Sequence, residues 1–174
     1  MKSPEVYSQL KSELAPWFKA AGFKRVKGLL GWSRAHSDAH IVVWCQISQD
    51  GWDSYAGSKF VVEFQLSPEP VIGTGRSERL ASLLSPEERE EVRSIQNEVI
   101  AGLHRPPASH PTLHISQQVT EWYLAKFGPV CEPYPERHDI WFRYASPDHV
   151  ARWALFIIGR LPKCIGELEW RERV

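Results

Sequence analysis

The most reactive residue pattern in this chain is a short run containing two histidines and an aspartate. His36, Asp38 and His40 occupy alternate positions, and alternate residues of a strand point to the same face. Imidazole and carboxylate groups placed in this way suit zinc or iron. The same residues fall where two strands are expected to join, and turns favour polar residues for reasons of backbone geometry. We therefore predict a hairpin turn here and no metal.

Other candidate ligand-binding patterns are weaker. His104, His110 and His114 lie in or beside a proline-rich stretch, without helical spacing or a neighbouring carboxylate. The sequence GTGRS at 73–77 precedes a predicted helix, and a glycine loop at a helix N-terminus can hold phosphate. It lacks the lysine ending of a P-loop and the third glycine of a dinucleotide-binding fingerprint. The sequence therefore predicts a flexible loop at 73–77 and no cofactor.

The chain also lacks a recognisable nucleophile. Cys45 alternates with apolar neighbours in a predicted strand, and a buried cysteine is usually inert. No GxSxG elbow is present for a serine nucleophile. The chain has three cysteines, Cys45, Cys131 and Cys164, which cannot all pair with one another, and no two are close enough in sequence to form a metal knuckle. We assign no catalytic residue, and the cysteine content agrees with a reducing compartment.

Alternating apolar residues predict the strands that would position any site. Residues 41–48 and 59–66 both show this period-two pattern, and residues 139–144 show it again. An extended segment over 23–34 precedes them. Close antiparallel connections predict an α+β fold with an antiparallel sheet of about four or five strands and helices packed mainly on one face. Residues 1–174 are expected to form a single domain, because this length is usual for one core.

Helix starts carry a repeated signal, a serine followed by proline and an acid. The signal occurs at Ser3, Ser85 and Ser146, where serine can cap the first turn and proline fits the first helical position. A further copy at Ser67 is followed by a second proline, so we predict a turn that closes a strand. The predicted helices are 3–22, kinked or restarted at Pro16, then 77–84, 86–103, 116–127 and 148–161.

Composition excludes several classes of protein. The chain is 43% hydrophobic and 24% charged, which is typical of a globular domain. Its longest apolar run, 153–159, is far short of the roughly 20 residues that span a bilayer, and the N-terminus lacks the apolar core of a signal peptide. We expect no membrane association and a cytoplasmic location. The chain has 21 basic and 21 acidic residues, and this balance disfavours nucleic-acid binding, although residues 19–34 form a basic segment without acids.

Several short motifs resemble a known family. They are GFKR at 22–25 after the first helix, WSR at 32–34, QIS at 46–48 and FVV at 60–62. In order and context they resemble the bacterial family called domain of unknown function 4304. The resemblance implies an uncharacterised α+β domain, with no established activity and no catalytic residues.

The side of the sheet opposite the apolar set is the predicted binding surface. We call it the second face, and it collects Trp44, Gln46, Ser48, Glu63, Gln65, Trp141 and Arg143. Antiparallel sheets often leave one face in water, and exposed aromatic area among polar groups is typical of binding surfaces. Trp52 and Tyr55 in the loop between two strands are expected to extend it. We expect these side chains to contribute little to the stability of the fold.

Binding of another protein is the predicted function. The hypothesis is a small adaptor or immunity-like module that captures its partner on the second face without catalysis. One alternative is a hydrolase that uses Glu63 with a histidine. The other is a weak nucleic-acid binder that uses Lys24, Arg25 and Lys27. The oligomeric state and the identity of the partner stay open at this point.

Overall fold

The computed structural model describes residues 3–49, 51–52, 57–73, 77–103 and 140–171. Within these ranges the chain forms six strands, three α-helices and one short 3-10 turn. The elements are α1 (Ser3–Ala20), β1 (Lys24–Arg25), β2 (Leu30–His36), β3 (Ala39–Ile47), β4 (Ser58–Ser67), β5 (Ser77–Arg79), the 3-10 turn (Leu80–Leu83), α2 (Pro86–Ala101), β6 (Phe142–Tyr144) and α3 (Pro147–Arg171). The predicted helix at 116–127 lies outside the described residues. The predicted α+β class with an antiparallel sheet is confirmed.

The sheet has the order β1-β2-β3-β4-β5, and every pair of neighbours is antiparallel. β5 and β6 both pair with the outer edge of β4, β5 along 63–65 and β6 along 58–60. The extended segment predicted at 23–34 is in fact two strands, because the chain reverses between Arg25 and Leu30. One end of the sheet is therefore the very short strand β1, which lies within the basic segment 19–34.

Two predicted helices differ from the structure. A helix over 77–84 is wrong, since Ser77 and Arg79 pair with β4 opposite Gln65 and Glu63, and only the 3-10 turn follows. A helix this short is marginal in water by itself, whereas pairing with β4 gives the backbone groups of Ser77–Arg79 hydrogen-bond partners. The last helix does not end near residue 161 but continues to Arg171. It continues because the residues after Pro162 extend the same buried stripe: Cys164, Ile165 and Leu168.

The main core lies between the helices and one face of the sheet. The alternating apolar residues of β3 and β4 point to this side, as predicted: Ile41, Val43, Cys45, Ile47, Phe60, Val62 and Phe64. α1 contributes Val6, Leu10, Leu14 and Phe18, and the Phe18 ring stacks on Trp32 of β2 with centroids 4.2 Å apart. The helices described here thus cover one face only, and Cys45 is buried as the register required.

The capping box predicted at the start of α2 is present. The Glu88 amide donates to the Ser85 hydroxyl at 3.3 Å, and the Ser85 amide donates to the Glu88 carboxylate at 2.8 Å. The same carboxylate accepts from Lys163 of α3 at 2.7 Å. Further ion pairs, Glu91 with Arg160 and Glu98 with Arg152, join the two helices in antiparallel order. No helix within the described ranges is long and apolar enough to cross a membrane.

Candidate functional site

The strand register brings the predicted second-face residues together. Trp44 lies opposite Glu63 in the β3–β4 ladder, and Val42 lies opposite Gln65. Lys59 lies opposite Arg143 in the β4–β6 ladder. Because alternate residues share a face, these side chains stand on the same side of the sheet, away from the helices. Of the residues grouped from the sequence, Trp44, Glu63, Gln65 and Arg143 therefore share one face of the sheet.

The exposure of this grouping differs from expectation. Trp44 is only 5% exposed, Ser48 and Glu63 are each 8% exposed, and Gln65 is 1% exposed. The expectation of a face open to solvent is wrong for these four residues. Gln46 and Trp52 are exposed, Trp141 and Arg143 are half-buried, and Tyr55 lies outside the described residues.

Part of the cover over the second face comes from the chain that follows β4. The turn predicted at Ser67 is present, and residues 68–73 fold back so that Ile72 packs with Trp44, Val26 and Val42 in a small second core. The Gly73 amide donates to the Gln65 side chain at 3.0 Å, which fixes the end of this segment. The sequence predicted a solvent-exposed face because the alternation along a strand does not show whether a later loop folds back over that face.

Gly31 shows how closely this segment is packed. An added Cβ at Gly31 would lie 3.0 Å from Trp44 Cβ and 3.1 Å from Ile72 Cδ1. Such distances are shorter than ordinary carbon contacts. The absence of a side chain at this position of β2 is therefore what lets Ile72 approach the sheet.

Cation and ring contacts occupy the half-buried end of the second face. The Arg79 guanidinium lies 3.3 Å from the Glu63 carboxylate and 5.2 Å from the centre of the Trp141 ring. The Lys59 ammonium also lies 5.2 Å from that ring centre. Glu63 and Trp141 thus have intramolecular partners, and their polar and aromatic surfaces already take part in the fold.

The hydrolase alternative requires a histidine beside Glu63. Of the described histidines, His40 belongs to β3 and lies opposite Ser67, the last residue of β4, and not opposite Glu63. His36 lies near Glu169 of α3, with 3.7 Å between its Nδ1 and the carboxylate. His149 accepts a hydrogen bond from the Ala145 amide at 3.1 Å, and burial lowers its pKa. None of the histidines that the structure describes forms a catalytic pair with Glu63.

The predicted hairpin at 36–40 is confirmed. His36 pairs with Ala39, so Ser37 and Asp38 form a tight two-residue turn, and Ser37 adopts a left-handed φ of 48°. Across the described ranges, no three histidine, cysteine, aspartate or glutamate side chains are placed to hold a metal ion. His104, His110 and His114 lie outside those ranges.

The remaining candidates carry no reactive group at a surface. Burial raises the pKa of the Cys45 thiol to about 12, and it does the same for Cys164. Both thiols are therefore protonated and poorly nucleophilic near neutral pH. Of the 73–77 loop only Gly73 and Ser77 are described, and a strand follows it where a helix was predicted. The expected helix N-terminus for phosphate binding is absent at that position.

The basic segment and α1 form a surface that is more accessible to a partner than the second face is. Three shallow grooves of about 430, 630 and 570 Å³ adjoin one another around β1 and α1. The first two share Ser8 and Lys11, and the first and third share Arg25 and Leu29. We call this surface the basic edge and define it by its cations: Lys11, Lys19, Lys24, Arg25 and Lys27. No aspartate or glutamate occurs among the described residues that line the three grooves.

Arg25 has a structural role within the basic edge. Its guanidinium donates to the Gly31 carbonyl at 2.6 Å and to the Leu29 carbonyl at 3.1 Å, and it lies 5.1 Å from the Trp32 ring centre. Burial lowers the pKa of Arg25. Arg25 therefore fixes the turn between β1 and β2. The lysines of the basic edge form no ion pair with any residue in the described part of the chain.

Two apolar side chains stand exposed beside these lysines. Leu29 is 46% exposed at the tip of the β1–β2 turn, and Val71 is 38% exposed in the segment after β4. Sequence reasoning identified Lys24, Arg25 and Lys27 but not Lys11, Leu29 or Val71. These positions lie far apart along the chain, so their proximity follows only from the fold.

The fold and these surfaces define a class: an α+β domain whose antiparallel sheet has helices on one face and a basic edge. No protein-family model, curated protein or solved structure matches the chain. The resemblance to domain of unknown function 4304 therefore stays a prediction.

Proposed function

We propose that this chain is a non-catalytic protein-binding module that binds an acidic segment of another protein at the basic edge. The observation that supports this most is the continuity of the three grooves, whose described charged lining is entirely cationic. Leu29 and Val71 add apolar area to the same surface. A surface that combines cations with exposed aliphatic side chains suits a partner carrying carboxylates next to apolar residues.

The charge of the whole chain makes this local excess informative. Basic and acidic residues are equal in number, 21 of each, so the positive surface arises from segregation. On α2 and α3 the cations pair with acids, as Lys163 does with Glu88 at 2.7 Å. The lysines of the basic edge have no such described partner. Their field therefore extends into solvent and can steer an acidic partner toward the edge.

A protein partner explains the surface better than a nucleic acid does. Proteins that hold single strands combine cations with aromatic rings on which bases stack. The only aromatic residue among the described groove residues is Tyr7, and its hydroxyl accepts a hydrogen bond from the buried Ile47 amide at 3.5 Å. The exposed side chains beside the lysines are aliphatic. A neutral overall charge also disfavours binding to a polyanion.

The second face supports partner binding less well than the basic edge does. Its expected anchor, Trp44, is packed against Ile72, and Glu63 is paired with Arg79. Gln46 and Trp52 stay exposed and can form the border of an interface. We therefore place the main contact at the basic edge.

Crosslinking and affinity capture from the native host would test the proposal. We expect acidic proteins to be captured by wild type and to fall about tenfold in yield with the double variant Lys24→Glu, Lys27→Glu. The matched control, Lys24→Arg with Lys27→Arg, preserves both charges and should retain the partner. Trp52→Ala tests the other surface and should change the yield little.

A nucleic-acid measurement distinguishes the alternative. Labelled single-stranded and duplex DNA and RNA should bind weakly, with no loss specific to the Lys24→Glu, Lys27→Glu variant. Tight binding whose affinity falls steeply with salt and is lost in that variant would contradict the proposed protein partner.

A further inference from the structure

We infer that the groove between β1 and the segment after β4 anchors one acidic side chain of the partner, with an aliphatic side chain next to it. This inference rests on the proposed function, because it names the chemistry that the basic edge recognises. We call this groove the anchor groove. The side chains that carry the argument are Lys24, Lys27, Ser33, Val71 and Ile72.

The first observation concerns Ser33, at the base of the groove. Ser33 is only 7% exposed, yet it lines the anchor groove. None of the described residues gives its hydroxyl a hydrogen bond. A hydroxyl that lines an open groove can donate a hydrogen bond to a ligand oxygen. Ser33 therefore offers a donor to a polar ligand atom in the anchor groove.

The second observation is the position of the cations. Lys24 lies directly opposite Ser33 in the β1–β2 ladder, so both side chains stand on the same face of the sheet. Lys27 lines the same groove from the turn that follows β1. Two ammonium groups and a hydroxyl donor that line the same groove favour an anion, and carboxylate oxygens accept hydrogen bonds from both kinds of donor.

The third observation concerns the opposite wall of the groove, which is apolar and fixed in place. Pro70, Val71 and Ile72 form this wall. Ile72 is held against Trp44 in the second core, and the Gly73 amide is tied to the Gln65 side chain. Val71 remains exposed at the rim. An aliphatic residue adjacent to the bound acid would contact Val71, and Leu29 lines the same groove.

Selection from a random peptide display library against the folded full chain would test this inference. We expect enriched peptides to carry aspartate or glutamate next to leucine, isoleucine or valine. A synthetic enriched peptide with a fluorescent label should bind in a saturable way by anisotropy. Lys24→Ala should weaken it about tenfold, or about 1.4 kcal/mol, and Ser33→Ala and Val71→Ser should weaken it severalfold.

Matched variants and spectra separate the groove from the rest of the surface. Ser82→Ala removes a hydroxyl outside the basic edge, where Ser82 donates to the Arg79 carbonyl at 2.7 Å, and should leave the affinity unchanged. Far-ultraviolet circular dichroism reports whether each variant is folded. If Ser33→Ala does not fold, peptide-induced amide shifts in the wild type should still centre on Ser33 and Val71.

The outcomes distinguish this inference from the function on which it rests. Acidic peptides that bind the basic edge but keep their affinity in Lys24→Ala and Ser33→Ala would overturn the anchor groove and leave the proposed function standing. Enriched peptides without acids, or peptides that bind only after phosphoserine replaces the acid, would also overturn the anchor groove. If no peptide is enriched while nucleic acid binds through Lys24, both proposals are wrong.

Discussion

Trp44 provides a direct stability test of how the second face is built. It is 5% exposed and packs with Val26, Val42 and Ile72. A tryptophan buries about 150–250 Å² of surface, and about 25 cal/mol per Å² makes its burial worth roughly 4–6 kcal/mol. Measured truncations of core aromatics to alanine cost about 3–5 kcal/mol. We expect the lower end, about 3 kcal/mol, for Trp44→Ala because this second core is small and its covering segment can relax.

Urea unfolding followed by far-ultraviolet circular dichroism would measure this cost. For a chain of this size about 3 kcal/mol corresponds to a fall of roughly 6–12 °C in Tm. Gln46→Ala is the matched control, since Gln46 stands on the same strand and face but is exposed, and its change should stay within about 0.5 kcal/mol. A Trp44→Ala variant as stable as the control would refute the packing of Ile72 over the sheet.

Three further predictions test the packing, the burial of a thiol and a helix cap. Gly31→Ala should cost about 1–3 kcal/mol, because its Cβ would lie 3.0 Å from Trp44 Cβ, whereas Gly102→Ala should change denaturant unfolding little. Cys45 should react with a thiol reagent only after unfolding. Burial raises the pKa of the Cys45 thiol to about 12, so the stability that the folded protein gains from the buried thiol should be complete below pH 9 and should decline between pH 9 and 12. Rapid labelling of Cys45 in the native protein would contradict its burial. Ser85→Ala should lower the free energy of unfolding by about 1 kcal/mol, with Ser82→Ala as the exposed control.

The sequence by itself determined the features that depend on neighbouring residues. The alternation along β3 and β4 predicted which side chains face the core, and Cys45 is buried accordingly. The serine of the capping box marked the start of α2, and the polar pair Ser37 and Asp38 marked the hairpin. Strand period, helix capping and tight turns are set within a few residues, so a single sequence is enough to show them.

Only the tertiary structure decided which surfaces are available to a partner. Ile72 packs against Trp44, so the predicted aromatic anchor is not available to a partner. Residues 77–79 pair with β4 and form a strand, although the sequence predicted a helix there. The fold brings Lys11 of α1 next to the other cations of the basic edge, and it places Leu29 of the β1–β2 turn and Val71 of a later segment beside them. Burial and the proximity of distant segments depend on how the elements pack together, and the local propensities of the residues do not predict that packing.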